Sequence, residues 1–202
     1  AMLPLPVQQE LKRRHFARQI RRGSFRSDEP EWELAASWIE PGDWAIDIGA
    51  NVGFYTKRFS DLVGPSGRVV AFEPVPATFE LLAANAARFG CANVTLLNLA
   101  ASDATHAVSM TIPSFHSGLG NYYQASISQD SDGIRVLSCA VDALSLPHPV
   151  RLVKIDAEGH DAVALRGARL LLERDRPVVV IESVTDDVVK LMSNLGYTME
   201  RI

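Results

Sequence analysis

Short apolar runs alternate along this chain with longer segments in which apolar residues recur every third or fourth position. The runs occupy residues 44–48, 68–72, 94–99, 151–155 and 178–181, and the helical patterns occupy 54–63, 76–89, 161–173 and 186–195. Strands that alternate in this way with helices indicate βαβ units, whose parallel sheet is covered on both faces. We therefore predict an α/β fold, a doubly wound, mostly parallel, Rossmann-like sheet with helices on both faces.

The middle of the chain departs from this alternation. Residues 107–112 and 134–141 have the pattern of strands, and a stretch rich in Ser and Gly separates them. A connection of this length inside a domain is usually functional or mobile. Its aromatic segment, 114–127, suits a lid over a ligand and equally an ordinary hairpin. After the last helix, residues 197–202 are predicted to form a final edge strand.

Charge is distributed unevenly along the chain. The first 26 residues carry a formal charge of +6 and the remainder -10, which gives the net charge of -4. We divide the chain accordingly into a basic N-terminal helical arm at 1–26 and one globular domain at 27–202. A basic arm on an acidic body is typical of proteins that bind nucleic acid or anionic membranes. The alternatives are an arm that docks on the body, or on a second subunit of a homo-oligomer, and an organellar transit peptide.

Composition excludes several classes of protein. A hydrophobic content of 47% and a charged content of 22% are ordinary for a globular chain, and exclude collagen-like and low-complexity sequences. The two cysteines, Cys91 and Cys139, are too few for a disulfide framework and predict small buried side chains in a reducing compartment. No apolar run reaches the ~18 residues of a membrane helix, and we find no secretory signal. We therefore expect a cytoplasmic protein without a membrane span.

The segment after the first predicted strand is suited to holding a ligand, because ligands of open doubly wound sheets bind outside the carboxyl ends of the strands. The residues from Asp47 to Gly53 are Asp-Ile-Gly-Ala-Asn-Val-Gly, and Gly49 and Gly53 let the backbone turn sharply against a ligand. Asn51 stands where a dinucleotide-binding loop has its second glycine, and Asp47 repels phosphate but attracts an ammonium group. The loop, Ala50 included, favours a ligand with an amino-acid end, such as S-adenosyl-L-methionine.

Two further strand ends complete the pattern of an adenosyl amino acid. Glu73 and Pro74 end the second run, and an acid at this interval can accept both hydroxyls of an unphosphorylated ribose. The third run is followed by small residues that leave a slot for a flat base, and then by Ser102 and Asp103. The carboxylate of Asp103 could accept a hydrogen bond from an exocyclic amine. Three successive strand ends therefore match the three parts of S-adenosyl-L-methionine.

These segments, together with two later ones, resemble the FkbM-type methyltransferases of the class I group that depends on S-adenosyl-L-methionine. The similar segments lie between about residues 33 and 197, and they are DIGANVG from Asp47, AFEP from Ala71, KIDAEG from Lys154 and IE from Ile181. One departure is Ala157, at a position often held by valine. Another is the short stretch after Tyr197, which puts the last antiparallel strand of the class I sheet in question.

The resemblance implies a class I fold and a reaction that converts S-adenosyl-L-methionine into S-adenosyl-L-homocysteine. It places the methionine part of the cofactor at Asp47, Gly49, Asn51 and Gly53. It further implies that Thr56 helps to hold the carboxylate and that Glu73 binds the ribose. Ser102 and Asp103 would lie near the adenine.

The segment 153–159 carries the candidate chemistry. If the extended conformation persists, Lys154, Asp156 and Glu158 alternate onto one face, where two close carboxylates raise one another's pKa. Methyl transfer to a hydroxyl needs a base or a metal to take the proton. We predict Asp156 and Glu158 as catalytic residues, with His160 as a candidate proton acceptor and with Asp156 also beside the cofactor.

A divalent metal is the alternative to a base. Asp156 with Glu158 or Glu182 could chelate one, as in some small-molecule O-methyltransferases. No further carboxylate or Asn is obviously placed to complete an octahedron. The other histidines have no ligand spacing; they are His15, His106, His116 and His148. We therefore assign no metal site.

The function predicted from these residues is O-methylation of a hydroxyl on a small molecule, such as a natural product or a sugar, by S-adenosyl-L-methionine. An NAD-dependent oxidoreductase on the same fold would need the dinucleotide glycine signature, which is missing. A further alternative is an RNA-binding methyltransferase, or a non-catalytic methyltransferase-like module, recruited through the basic arm.

Overall fold

A computed structural model describes residues 4–113, 125–128 and 133–202. The predicted lid at 114–127 lies, apart from its last three residues, outside the described residues. The predicted alternation of strands and helices is confirmed over the remainder of the body, and several boundaries coincide with those read from the sequence.

The strands of the main sheet are β1 (Trp44–Ile48), β2 (Arg68–Phe72), β3 (Val94–Leu97), β8 (Val150–Ile155) and β9 (Val178–Ile181). The sheet is parallel throughout, in the order β3-β2-β1-β8-β9. The order reverses between β1 and β8, which are neighbours, and Asp47 is the register partner of Lys154 across that junction. The carboxyl ends of β1, β2 and β8 therefore meet at the switch point where such sheets bind ligands.

Helices cover both faces of this sheet. They are α1 (Leu5–Arg22), α2 (Pro30–Trp38), α3 (Phe54–Val63), α4 (Pro76–Ala86), α5 (Asp161–Arg166), α6 (Arg169–Asp175) and α7 (Asp186–Asn194). On one face Ala45 and Leu152 pack against Phe59 of α3. On the other, Ile46 and Val153 form one core with residues of α5, α6 and α7, such as Leu172. Both faces of each central strand are thus buried, which explains the continuous apolar runs.

A small second sheet follows β3, and its strands are β4 (Ala100–Ala101), β5 (Ala107–Thr111), β6 (Ser126–Ser128) and β7 (Ile134–Cys139). Their order in the sheet is β4-β7-β5-β6. β5 pairs antiparallel with both β6 and β7, which confirms the two strands predicted in the middle of the chain. Met110 and Val136 pack with Val75 and Ala100, so this sheet stands beside the carboxyl ends of β2 and β3.

The prediction of one continuous helix at 161–173 is wrong, because the segment is divided into α5 and α6 at Gly167. A Cβ at Gly167 would lie 1.8 Å from the carbonyl oxygen of Ser102, so the backbone there presses directly on the loop after β4. The carboxylate of Asp142 accepts the amide hydrogens of Leu170 and Leu171, each at 2.9 Å, and so begins a new helix.

The strand predicted at 197–202 is also wrong: these residues adopt no regular structure. Arg176 explains the difference, because it stacks 4.3 Å from the Tyr197 ring and donates to the carbonyl oxygens of Leu195 and Gly196. The Tyr197 hydroxyl donates to Leu172 at 3.3 Å. The start of the segment is therefore tied to α6, and the segment does not pair with β9.

Helix α1 lies along α4 and docks on the body. Phe16 is buried with Phe25, Val52 and Leu81, and the three phenylalanine rings at 16, 25 and 54 make edge and tilted contacts. These contacts agree with the docking alternative for the arm. Among the described residues, no helix combines the length and the apolar character that crossing a bilayer requires.

Candidate active site

The carboxyl ends of the central strands border a cleft of about 590 Å³, its open mouth included. Seven of the residues predicted for the site line it: Gly49, Asn51, Glu73, Pro74, Asp156, Glu158 and His160. Met110 and Ile127 of the small sheet form an apolar wall on one side.

The other predicted residues lie behind or beside this lining. Asp47, Thr56 and Ser102 are buried beneath it, and Ala50 and Gly53 belong to the turn between β1 and α3. Asp103 is exposed and pairs with Arg166, at 3.5 Å, on the side of α5. The structure therefore brings together the predicted glycine loop, the acid predicted to bind the ribose and the predicted catalytic segment. Asp103, in contrast, does not line the cleft.

The turn after β1 depends on the lack of a side chain at Gly49. Its φ is +77°, and a Cβ there would lie 1.8 Å from the carbonyl oxygen of Asp156. Asn51 also has a positive φ of 50°, a conformation that Asn tolerates better than most residues. The turn between strand and helix is thus held against the end of β8, which places Asn51 and Asp156 on the same cleft.

We expect Gly49→Ala to lower the free energy of unfolding by about 2–5 kcal/mol, because it adds left-handed strain to overpacking against Asp156. Gly23→Ala is the matched control: its φ is +70°, and nothing lies within 4 Å of its added Cβ. It should lose only about 1–2 kcal/mol. Urea denaturation measures both, and equal losses would contradict the close approach.

Glu73 is positioned by the backbone of the loops around it. One carboxylate oxygen accepts from the amide of Asn51 at 2.9 Å and the other from the amide of Val75 at 2.8 Å. Burial raises the pKa of Glu73 to about 7, although both amide hydrogen bonds oppose the shift. The carboxylate is therefore oriented into the cleft, with acceptor capacity left on both oxygens for a pair of hydroxyl groups.

Asp47 and Lys154 are buried register partners under the cleft, where burial raises the pKa of Asp47 and the charge of Lys154 opposes that shift. Asp47 is completely buried; one of its oxygens accepts from Thr56 at 2.6 Å, and the other has no hydrogen-bond partner among the described residues. The ammonium of Lys154 lies 4.6 Å from the centre of the Tyr55 ring. Burial disfavours its charge, but Asp156 and Asp47 outweigh that effect and raise the pKa of Lys154. The lysine is therefore a fixed cation between two carboxylates.

Asp156 and Glu182 form a second, coupled pair at the ends of β8 and β9. Lys154 donates to Asp156 at 2.9 Å. Hydrogen bonding to Glu182 and the charge of Lys154 outweigh burial and lower the pKa of Asp156. The same hydrogen bond, with burial, raises the pKa of Glu182 to about 8. Of the two carboxyl groups, Glu182 is therefore the one that retains a proton more readily.

Glu158 joins this pair from the following turn, where its φ is +47°. The extended conformation predicted to carry Lys154, Asp156 and Glu158 on one face is therefore wrong, since β8 ends at Ile155. Oxygen atoms of Asp156, Glu158 and Glu182 nevertheless lie within 4.8 Å of one another, a spacing that metal sites also use. Lys154 already supplies a cation to Asp156, and we keep the assignment of no metal site.

His160 stands at the start of α5, on the cleft wall. Its Nε2 lies 3.2 Å from the hydroxyl of Ser102, so Ser102 fixes the ring from behind. Burial lowers the pKa of His160, which keeps the ring neutral near pH 7 and able to accept a proton.

Sequence reasoning missed the central position of Lys154, and it brought Glu182 to Asp156 only as an alternative metal ligand, not as a partner that shares a proton. Both could have been found from the predicted strand order, because residues that follow neighbouring parallel strands meet at one edge. Lys154 within an apolar run is a buried cation and requires a buried acid, and Asp47 is the acid at the corresponding position of β1.

The donor set fits an adenosyl amino acid. Glu73 offers two oriented acceptor oxygens. The turn at Gly49 leaves space where a side chain would stand, and the oxygen of Asp47 that has no hydrogen-bond partner among the described residues adds negative potential beneath that turn. The apolar wall and the carboxyl pair flank the remaining part of the cleft. The arrangement can hold a cofactor and accept a proton from a second molecule.

Comparison with known proteins supports this description. The model of the methyltransferase FkbM domain matches residues 47–199. The hexuronic acid methyltransferase AglP of Haloferax volcanii is 28% identical over 181 residues, which cover 87% of this chain and 72% of that protein. A 50-residue segment is 46% identical to the 31-O-demethyl-FK506 methyltransferase FkbM of Streptomyces tacrolimicus, covering 25% of this chain.

A solved structure has the same fold. The FkbM methyltransferase of Methylobacillus flagellatus aligns with a TM-score of 0.55 and 15% identity, over 94% of this chain and 52% of that one. The chain thus spans about half the length of that protein, and its match to the Streptomyces enzyme covers 19% of that relative.

Proposed function

This chain belongs to the FkbM methyltransferase family, and we propose that it methylates a hydroxyl group of a small, hydroxyl-rich molecule of the sugar type. S-adenosyl-L-methionine is the methyl donor. The observation that carries the proposal is the carboxylate of Asp156, which lines the cleft beside the turn of Gly49 and lies within 4.8 Å of oxygen atoms of Glu158 and Glu182.

The cofactor would be held by the loops already described. Glu73 would accept the ribose hydroxyls, and the turn from Gly49 to Gly53 would receive the amino-acid end. Ser102 would lie behind the base. Asp103 is less suited to a role at the adenine, because its carboxylate pairs with Arg166. When bound, the cofactor supplies an activated methyl group, and the rest of the chemistry concerns the acceptor.

The carboxyl pair would take the proton of the acceptor hydroxyl as the methyl–sulfur bond of the donor breaks and the methyl–oxygen bond forms. Lys154 keeps Asp156 ionised and correctly oriented throughout. Glu158 and His160 are further polar groups on the wall, suited to binding neighbouring hydroxyls. The apolar surface of Met110 and Ile127 would pack on a ring face and exclude water.

A sugar acceptor is favoured by two features together. The cleft combines an apolar wall with carboxylates and a neutral histidine, the groups that bind hydroxyl-rich rings. The Haloferax relative, which aligns over most of this chain, is named for a hexuronic acid. The direct test is transfer of labelled methyl from S-adenosyl-L-methionine to a panel of sugars and uronic acids, with calorimetry of S-adenosyl-L-homocysteine binding. Binding without transfer to any hydroxyl would refute O-methylation.

We expect Asp156→Asn to lower kcat by about 10²–10⁴-fold, as for loss of a positioned proton acceptor, and to depress turnover more than folding. In the parent protein kcat should rise with pH and level off above about 8, where the proton on Glu182 is lost. Glu182→Gln should abolish that rise and retain the low-pH rate, because the amide imitates the protonated acid. A pH–rate profile measures both variants, and an unchanged profile in Glu182→Gln would contradict the shared proton.

A further inference from the structure

A groove lined by arginine runs between α1 and α4, separate from the cleft. Five arginines line it, namely Arg13, Arg14, Arg18, Arg21 and Arg88, with one acid, Glu10. Residues 14, 18 and 21 follow helical spacing on one side of α1, and Arg88 comes from the segment just after α4. Two elements distant in sequence thus direct cationic side chains at one space.

Most of this charge is left uncompensated. Arg14 pairs with Glu10 at 2.7 Å and Arg13 with Glu80 at 3.4 Å. Among the described residues, no carboxylate lies within 4 Å of Arg18, Arg21 or Arg88. Collected in one groove, these guanidinium groups repel one another, and a bound anion would relieve that repulsion.

The arginines without an acidic partner also have unused hydrogen-bonding capacity. Arg88 donates from one terminal nitrogen to the carbonyl oxygen of Ala84. A guanidinium group carries five N–H donors, so most of them are left for a ligand. The anion that matches several planar guanidinium forks at once is a phosphate, which offers oxygen atoms in pairs.

We propose that the groove between α1 and α4 is a binding site for phosphate groups, with Arg18, Arg21 and Arg88 as its principal ligands. It lies at the opposite end of α4 from the cleft, because Pro74 and Val75 line the cleft and Arg88 follows the last turn of the helix. The 11 residues of α4 span about 16 Å. The site is therefore independent of the methyl-transfer site and does not depend on the proposed function.

The test uses the complete chain and sodium pyrophosphate. We expect saturable thermal stabilisation by pyrophosphate beyond that of sodium chloride at the same ionic strength, and a dissociation constant from calorimetry. Arg21→Glu should weaken binding at least about tenfold, the effect of losing one charge-assisted contact. The matched control is Arg22→Glu, an exposed neighbour on the same helix that does not line the groove; it should bind nearly as the parent does.

Arg88→Gln is a second variant, placed outside α1, and it should also weaken binding of pyrophosphate. It keeps the proposal testable even where Arg21→Glu disturbs the helix. Vesicles of phosphatidylglycerol, compared with phosphatidylcholine, distinguish the source of the phosphate. Sedimentation with the anionic vesicles that requires Arg21 assigns a lipid headgroup, and binding of pyrophosphate alone assigns a soluble phosphorylated ligand. Equal dissociation constants for Arg21→Glu and Arg22→Glu, or RNA binding without pyrophosphate binding, would overturn the proposal.

Discussion

Glu73→Gln should weaken binding of S-adenosyl-L-homocysteine by at least about 100-fold. Two hydrogen bonds from ribose hydroxyls to a carboxylate contribute about 1.5–3 kcal/mol each, and the neutral amide both lacks the charge and offers only one acceptor oxygen. The amide would also displace one of the two backbone contacts, to Asn51 or Val75, that orient the side chain. Calorimetry measures the affinity, and Glu80→Gln on the exposed side of α4 is the control. Parent-like affinity in Glu73→Gln would refute the ribose assignment.

The same residue should make cofactor binding release a proton. Burial holds the pKa of Glu73 at about 7 in the free protein, and hydroxyl donors favour its ionised form. Affinity should therefore fall as the pH decreases below about 7, and binding below that pH should show proton release in buffers of different ionisation enthalpy. The amide introduced by Glu73→Gln cannot titrate, so both effects should disappear in that variant. A proton count of zero in the parent at pH 6 would contradict this coupling.

Lys154→Met should destabilise the protein at neutral pH by about 3–5 kcal/mol and also abolish most turnover. Removing one member of a buried charge pair leaves the other without compensation, and Asp47 is completely buried. Without the lysine, the pKa of Asp47, which burial already raises, rises further, and Asp156 loses the charge that helps to lower its pKa. The stability tied to protonated Asp47 is fully present below the unfolded pKa, near pH 4, and is lost as the pH increases through the raised value. The deficit of the variant should therefore grow from pH 4 to pH 7.

Three comparisons make this expectation specific. Asp47→Asn combined with Lys154→Met should recover part of the lost stability, because it removes the isolated charge. Lys154→Arg should keep the charge and recover more turnover than methionine does. Lys190→Met, on the exposed side of α7, should have little effect. Urea denaturation at several pH values measures these differences, and a pH-independent loss in Lys154→Met would mean that the lysine contributes packing alone.

The sequence was sufficient to predict the main architecture. β1, β2, β9 and α3 have the predicted boundaries, because each is a strongly patterned segment bounded by turn residues. The predictions that failed concern segments whose structure depends on contacts between residues distant in the sequence. Gly167 divides a helix because the loop at Ser102 passes against it, and Arg176 draws the segment at Tyr197 away from β9.

The candidate site was predictable where it depended on strand ends. Gly49, Glu73 and Asp156 meet because parallel strands end at one edge, whatever the details of packing. Side-chain partners were harder to predict: Asp103 pairs with Arg166 and does not line the cleft, and Asp47 is aligned with Lys154 beneath the loop. Such choices depend on register and side-chain direction, which a linear pattern leaves open.

The alignment of Asp47 with Lys154 also bears on how the sheet assembles. Strand β8 is apolar on both sides, so its hydrophobic residues by themselves would tolerate a slip of one position against β1. Such a slip would set Val153 or Ile155 opposite the acid and turn the ammonium into the hydrocarbon layer beneath α5 and α6. Only the native alignment neutralises both charges. The lysine that helps to keep Asp156 ionised thereby also selects against misassembled sheets.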